Sequence, residues 1–236
     1  KYPFKRKKRM GEERWYEKIS LSYSGQLSNS IRTKEDKVLK SNIIKDWRNG
    51  VKHNIPVSAT FQLFDFINIT PSFNYTERWY FKKTEQKWNP ETNKVEKLDP
   101  QYGFYRLYNY NAGVSLSTTL YGMWQVKEKY KSFKLQALRH TINPSINFSY
   151  MPNFGNQKYG YYQTIQSDST GKTMTYSPFS ENAYGTPTSG QNMSLSFSLS
   201  QSLEVKVKSD RDTTGVKKIK IIDDLSISGS YNFLAD

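Results

Sequence analysis

"MSLSFSLSQSLEVKVK", residues 193–208, alternates residue by residue. Met193, Leu195, Phe197, Leu199, Leu203, Val205 and Val207 fall on one parity, interrupted only by Gln201, while Ser194, Ser196, Ser198, Ser200, Ser202, Glu204 and Lys206 fall on the other. Successive side chains of an extended chain point to opposite faces. A period of two therefore predicts a strand with one greasy face and one face of small polar groups.

The same rule recurs along the chain. "LRHTINPSINFSYMPNF" (138–154) sets His140, Ile142, Pro144, Ile146, Phe148 and Tyr150 against Arg139, Thr141, Asn143, Ser145, Asn147 and Ser149. "ISLSYSGQL" aligns Ile19, Leu21, Tyr23 and Leu27; "IPVSATFQL" aligns Ile55, Val57, Ala59, Phe61 and Leu63. "INITPSFNYTERW" aligns Ile67, Ile69, Pro71, Phe73, Tyr75 and Trp79, and "YNYNAGVSLSTTL" aligns Tyr108, Tyr110, Ala112, Val114, Leu116 and Leu120. "LSISGSYNF" closes the set with Leu225, Ile227, Tyr231 and Phe233. The pattern predicts strands at about 15–31, 53–64, 66–80, 104–121, 135–150, 192–207 and 217–233.

The polar parity decides between two all-β architectures. A soluble sandwich shows water an outer face rich in Lys, Glu and Thr, whereas these faces carry Ser, Asn, Thr and Gln almost throughout. A membrane barrel turns its apolar residues to lipid and its small polar residues to a hydrated lumen, with strands of about 9–11 residues. The expected fold is thus a transmembrane antiparallel up-and-down β-barrel. Ile67, Ile69, Phe73, Ile142, Ile146, Phe148, Leu195, Phe197 and Leu199 are expected to face lipid. Ser115, Ser117, Asn143, Ser145, Asn147, Ser196 and Ser198 are expected to face the lumen.

The expected gaps between strands fit that reading, because outer-membrane barrels alternate short periplasmic turns with long extracellular loops. Residues 32–52, 81–103 and 151–191 are the long gaps, while 65 and 208–216 are short and 122–134 is of medium length. Trp15, Trp79, Tyr80, Tyr108, Tyr150 and Tyr231 stand where an interfacial belt would sit. Single-chain bacterial barrels have an even strand number, so seven strands are expected to be a section of a larger barrel, residues 1–236 forming one partial barrel domain. Pro71 and Pro144 inside strands, and Pro56 near a strand start, are expected at bulges or at a weakened seam.

Composition is compatible with this picture. Of 236 residues, 36% are hydrophobic but 15% are aromatic, and the chain holds 18 Tyr and 13 Phe. A disordered chain would lack the aromatics. There is no cysteine, which removes disulfides and thiolate metal sites. The net charge of +14 raises nucleic acid as a partner, but the basic runs at 5–9, 32–52, 127–134 and 206–220 lie largely outside the alternating segments and read as solvated loops. No nucleic-acid partner is expected.

Catalytic chemistry is not expected. His53 and His140 are far apart, and no G-x-S-x-G, H-E-x-x-H, Walker or dinucleotide motif occurs. "DSTGK" (168–172) lacks the glycine spacing of a phosphate loop and reads as a turn, and "IIDD" (221–224) reads as a strand-end feature. No enzyme activity, cofactor or metal is expected.

Leu138-Arg139-His140, Pro144-Ser145 and Phe148-x-Tyr150 resemble the barrel of the LptD family of lipopolysaccharide-assembly outer-membrane proteins. "INITPSFNYTERWY", "LYGMWQVK", "YGTPTSGQNMSLSFSLSQSLEVKVK" and "IKIIDDLSISGSYNFLAD" are similar to stretches that follow one another in that family in the same order. The resemblance implies an outer-membrane location, a preceding periplasmic jellyroll and an LptE-like lipoprotein plug in the lumen. It also implies periplasmic lipopolysaccharide-transport bridge proteins as partners and sideways insertion of lipopolysaccharide into the outer leaflet. Basic loops suit an anionic glycolipid, and Arg32, Lys34, Lys37, Lys40, Lys45 and Arg48 are the expected phosphate contacts. The alternatives are another outer-membrane barrel, such as a porin or nutrient receptor, or a soluble basic β-sandwich that binds nucleic acid or acts as an adhesin.

Overall fold

The computed structural model describes residues 1–7, 11–31, 33–42, 45–126, 134–209 and 215–234. The strands in chain order are β1 (Ile19–Leu21), β2 (Ser24–Ser30), β3 (Arg48–Ala59), β4 (Phe61–Leu63), β5 (Ile67–Lys83), β6 (Gln86–Asn89) and β7 (Lys94–Lys97). They continue with β8 (Gln101–Thr118), β9 (Leu120–Gln125), β10 (Leu135–Met151), β11 (Gln163–Gln166), β12 (Thr173–Tyr176), β13 (Asn192–Lys208) and β14 (Val216–Asn232). Among the described residues one short α-helix, α1 (Glu35–Val38), lies between β2 and β3.

Ten of these strands form one antiparallel sheet, in which β3, β5, β8, β10, β13 and β14 follow one another in chain order. β1 and β2 lie end to end along β3, β3 and β4 along β5, and β8 and β9 along β10. The ten strands therefore trace seven lines of an up-and-down meander. β6–β7 and β11–β12 are separate hairpins inside two of the long connections. Among the described residues the sheet is open, with β1 and β2 at one edge and β14 at the other.

Several limits differ from the sequence reading for local reasons. Trp15–Lys18 is a 3-10 turn, so the first strand begins at Ile19. Arg48–Lys52, counted in the long gap 32–52, is the start of β3. β5 runs on to Lys83 after a register shift between Tyr80 and Lys82. The "IIDD" carboxylates lie inside β14, where the register against β13 slips between Gln201 and Glu204, and Asp224 accepts a hydrogen bond from Ser200 Oγ at 2.7 Å.

The three prolines do not cause bulges. Pro56, Pro71 and Pro144 hold unshifted register with Asn74, Val114 and Leu199 on one side. On the other side each faces a break in the neighbouring line. Ile55 and Pro56 face the gap between β1 and β2, Thr70 and Pro71 the gap between β3 and β4, and Asn143 and Pro144 the gap between β8 and β9. A proline has no N–H to give its neighbour, so the neighbour's ladder stops there and resumes a residue or two later. At the middle gap, Thr60 and Thr70 hydroxyls meet at 3.2 Å instead.

The connections place their bulk at one end of the sheet. Segments 31–47, 84–100 and 152–191 leave from that end, and 64–66, 126–134 and 209–215 from the other. The tightest turn, 64–66, has Phe64 and Asp65 at φ of 51° and 63°, the left-handed pair that matches the twist of a hairpin.

The chain before β1 is fastened at the short-turn end. Arg6 and the buried Glu17 form an ion pair, the Arg14 amide donates to Glu17 Oε2 at 2.9 Å, and the Leu21 amide donates to the Lys1 carbonyl at 2.9 Å. The Arg6 side-chain hydrogen bonds, followed by the Arg14 amide, pull the Glu17 carboxyl down from 4.5 to about 2. A depressed carboxylate stabilises the fold above its unfolded value and loses that contribution as pH falls toward the folded one. Proteolysis of residues 1–18 should accordingly rise as pH falls from about 4.5 toward 2, and Glu17→Gln should give the same susceptibility at pH 7. An acid-insensitive cleavage rate would remove Glu17 from this role.

Candidate functional site

The register converts the parity of single strands into continuous surfaces, because residues opposite one another on paired strands share a face. One row runs Ser230, Ser196, Asn147, Ser115, Thr70, and the next runs Ser228, Ser198, Ser145, Ser117, Asn68. Asn143 lies on the same face opposite Ser200. All seven residues expected to line a lumen are thus on one surface.

The other surface is built from Gly229, Phe197, Ile146, Leu116 and Ile69 in one row and Tyr231, Leu195, Phe148, Val114 and Pro71 in another. Phe73, Ile67, Ile142 and Leu199 belong to this face by the same pairing. Away from Tyr108 and Tyr110, which Tyr159 and Phe154 meet edge-on, no second layer covers it among the described residues. Phe197 is 52% exposed, Ile227 56% and Ile146 46%. A Cβ on Gly229 would stand 2.5 Å from Phe197 Cζ, so the glycine gives the ring its place against the strand. Two polar residues in the middle of this face, His140 and Gln201, satisfy each other at 3.1 Å.

Near the long-connection end the apolar face carries an aromatic collar. Trp79 lies 4.1 Å from the His53 ring and Tyr75 stacks on Tyr108. Glu77 sits inside it, paired with Arg106 Nε at 2.8 Å and accepting the Trp79 indole N–H. Of the expected belt, Trp79 and Tyr108 belong here. Tyr80 does not: it is fully buried and lies on the polar face.

That burial comes from the segment 152–191, which crosses over the end of the polar face as a roof. Tyr80, Leu107, Phe154, Tyr161 and Phe179 form the main buried cluster. The Tyr80 hydroxyl donates to the Gly185 carbonyl at 2.6 Å, Asn182 Nδ2 to the Lys82 carbonyl at 2.9 Å, and the Gln86 amide to the Tyr176 hydroxyl at 2.7 Å. Tyr161 closes the free edge of β8 above β10. Its hydroxyl accepts from the Tyr108 amide at 2.8 Å and donates to the Tyr108 carbonyl at 3.2 Å, replacing a strand partner, and burial pushes this hydroxyl's pKa above its ordinary value. Gly50 leaves room for the roof, since a Cβ there would stand 2.9 Å from the Tyr80 ring and 3.1 Å from the Tyr184 ring. "DSTGK" is a turn of the β11–β12 hairpin, with Asp168 Oδ1 accepting from the Thr170 and Lys172 amides.

The roof residues had a signal that the alternation reading passed over. Tyr80 and Leu107 are large apolar side chains on the polar parity, each near the strand end that faces a long connection. The basic residues of the first long connection are placed more loosely. Lys34, Lys37, Lys40 and Lys45 are exposed on and around α1, Arg48 opens β3, and among the described residues none of the five has a carboxylate partner within ion-pair distance; Arg32 lies outside the described residues. The Lys45 carbonyl accepts from Lys82 Nζ at 2.8 Å. No helix among the described residues is long and apolar enough to cross a membrane.

Residues 1–236 match the family model described as LptD protein, so the chain belongs to that family. No curated protein and no solved structure matches it.

Proposed function

We propose that this member of the LptD family forms a wall section of a closed outer-membrane β-barrel that inserts lipopolysaccharide into the outer leaflet. The observation that carries the reading is the exposed apolar surface backed by continuous rows of Ser, Thr and Asn. A soluble sandwich would bury such a surface against a second sheet. In a bilayer it needs no cover, and the open strand edges would have to be satisfied by barrel closure. A hydrated polar wall whose middle is nearly free of charge suits a lumen shared by sugar head groups and an LptE-like plug, with transport-bridge proteins delivering the glycolipid from the periplasm. Family membership weighs against a porin or nutrient receptor, which would share the pattern of faces. Lys34, Lys37, Lys40, Lys45, Arg48 and Arg32 are proposed outer contacts for glycolipid phosphates.

Depletion of the full-length protein in its native cell tests this. Newly made lipopolysaccharide should fail to reach the surface, measured as protection from an externally added lipid A-modifying enzyme. Normal surface delivery during depletion would refute the reading.

A further inference from the structure

The polar face is not uniform along its length. Its middle is nearly free of charge, but at the short-turn end it collects Arg139, Glu204, Lys206, Lys208, Lys218 and Lys220. Two of the cations are matched, Arg139 by Glu204 at 2.7 Å and Lys220 by Asp223. Among the described residues, Lys206, Lys208 and Lys218 have no carboxylate partner within ion-pair distance. Lys206 and Lys218 stand directly opposite each other across β13 and β14. Like charges in that position repel, so the apo sheet carries a cost that a neutral or acidic residue at either place would remove.

The ground around these lysines is hollow. The register of β10 against β13 shifts between Leu135 and Ala137, a bulge that widens the sheet locally. A cleft of about 470 Å³ lies there, lined in part by Gln125, Gln136, Lys206 and Lys208. A second hollow of about 230 Å³ adjoins it, lined in part by Arg139, Lys206 and Lys218. Lys206 borders both.

We propose that Lys206, Lys208 and Lys218 form a receiving site for the phosphate groups of the glycolipid at the short-turn end of the polar face. The inference rests on the reading of that face as the lumen of a lipopolysaccharide barrel. Lys206 and Lys208 border the larger hollow, and Lys206 and Lys218 the smaller, which Arg139 and its partner Glu204 also line; the three ammonium groups are point-charge donors suited to a phosphate ester. A dianion between Lys206 and Lys218 turns their repulsion into attraction. On the lumen side of a low-dielectric wall the potential of three unmatched cations is focused rather than dispersed. The site also lies at the end opposite the exposed lysines of the first long connection, so phosphates would meet cations on arrival as well as on departure.

The test uses the full-length protein in detergent micelles and two probes, phosphorylated lipopolysaccharide and the same material after enzymatic dephosphorylation. The wild type should prefer the phosphorylated form. Replacing Lys206, Lys208 and Lys218 together by Gln should weaken that form by on the order of a hundredfold at low salt and leave the dephosphorylated form unchanged. Replacing all three by Arg should restore the preference. Lys218→Gln alone should weaken binding by about fivefold while holding or raising the melting temperature without ligand, which separates lost binding from lost fold. A triple Gln variant that still discriminates between the probes would overturn the site. Equal loss of both probes, unrepaired by Arg, would also overturn it, as would retained discrimination with loss of a co-purifying acidic protein. A wild type that binds neither probe would overturn the lipopolysaccharide reading itself.

Discussion

Leu199→Lys should abolish assembly of the protein in the outer membrane, and Ser200→Lys, one residue along, should not. Leu199 lies in the middle of β13 on the apolar face, opposite Pro144 on one side and Ile227 on the other. If that face meets lipid, a lysine there is at the midplane, where the cost is about 2–4 kcal/mol. Adding Ile146→Lys, on the same face of β10, should take the pair to roughly 4–8 kcal/mol, comparable with the whole stability of many domains. Ser200 lies on the polar face and its hydroxyl already donates to Asp224. A lysine at 200 would find water and a carboxylate, so its effect should stay within about 1 kcal/mol. The readout is the fraction of full-length protein that runs as a compact, heat-modifiable species. Equal loss for Leu199→Lys and Ser200→Lys would mean that the two faces do not see different solvents.

Tyr80→Ala should release the roof while leaving the sheet paired. The ring is fully buried, 6.2 Å from the Phe179 ring, and its hydroxyl is tied to Gly185. Removing a buried aromatic side chain costs about 3–5 kcal/mol, and the Gly185 carbonyl loses its donor as well. The pairing of β10 with β13 and of β13 with β14 does not pass through Tyr80, so the loss falls on segment 152–191. Where cleavage follows the open population, about 3 kcal/mol raises the rate of cutting in that segment by on the order of a hundredfold. Tyr80→Phe keeps the ring and should show only the smaller effect of the lost hydrogen bond, about 1–3 kcal/mol. A Tyr80→Ala protein with wild-type protease resistance would show that the roof is held elsewhere.

The all-β antiparallel sheet was legible because a period of two is a property of extended backbone and does not depend on tertiary context. "MSLSFSLS" can present its serines and its apolar residues only on opposite sides, and register then joins Ser198 to Ser145 and Ser145 to Ser117. What local pattern could not supply was the effect of one strand on the next. Pro56, Pro71 and Pro144 read as possible bulges from their own strands, yet each acts on the neighbour that lacks a donor to pair with. Arg48–Lys52 falls in the long gap 32–52 because it lacks clean alternation, and it is strand with Gly50 at the place where the Tyr80 and Tyr184 rings leave no room for a side chain. The roof was the least legible part. Segment 152–191 has no periodicity of its own, and its order comes from contacts such as Tyr161 on the β8 backbone, 53 residues away in sequence.

The central claim is that the apolar parity meets lipid and the serine parity meets water. Residues 1–236 hold no cysteine, so once any cysteine elsewhere in the full-length protein is replaced by serine, single cysteines can be introduced without background. Spin labels placed one at a time at residues 195–200 of the full-length protein in lipid vesicles would report contact with lipid-dissolved oxygen and with a water-soluble nickel complex. Labels at Leu195, Phe197 and Leu199 should be quenched by oxygen, and labels at Ser196, Ser198 and Ser200 by nickel, in strict alternation. Shielding of the first three from both quenchers, with the serine positions open to nickel, would place the apolar face against a second protein layer and contradict the barrel.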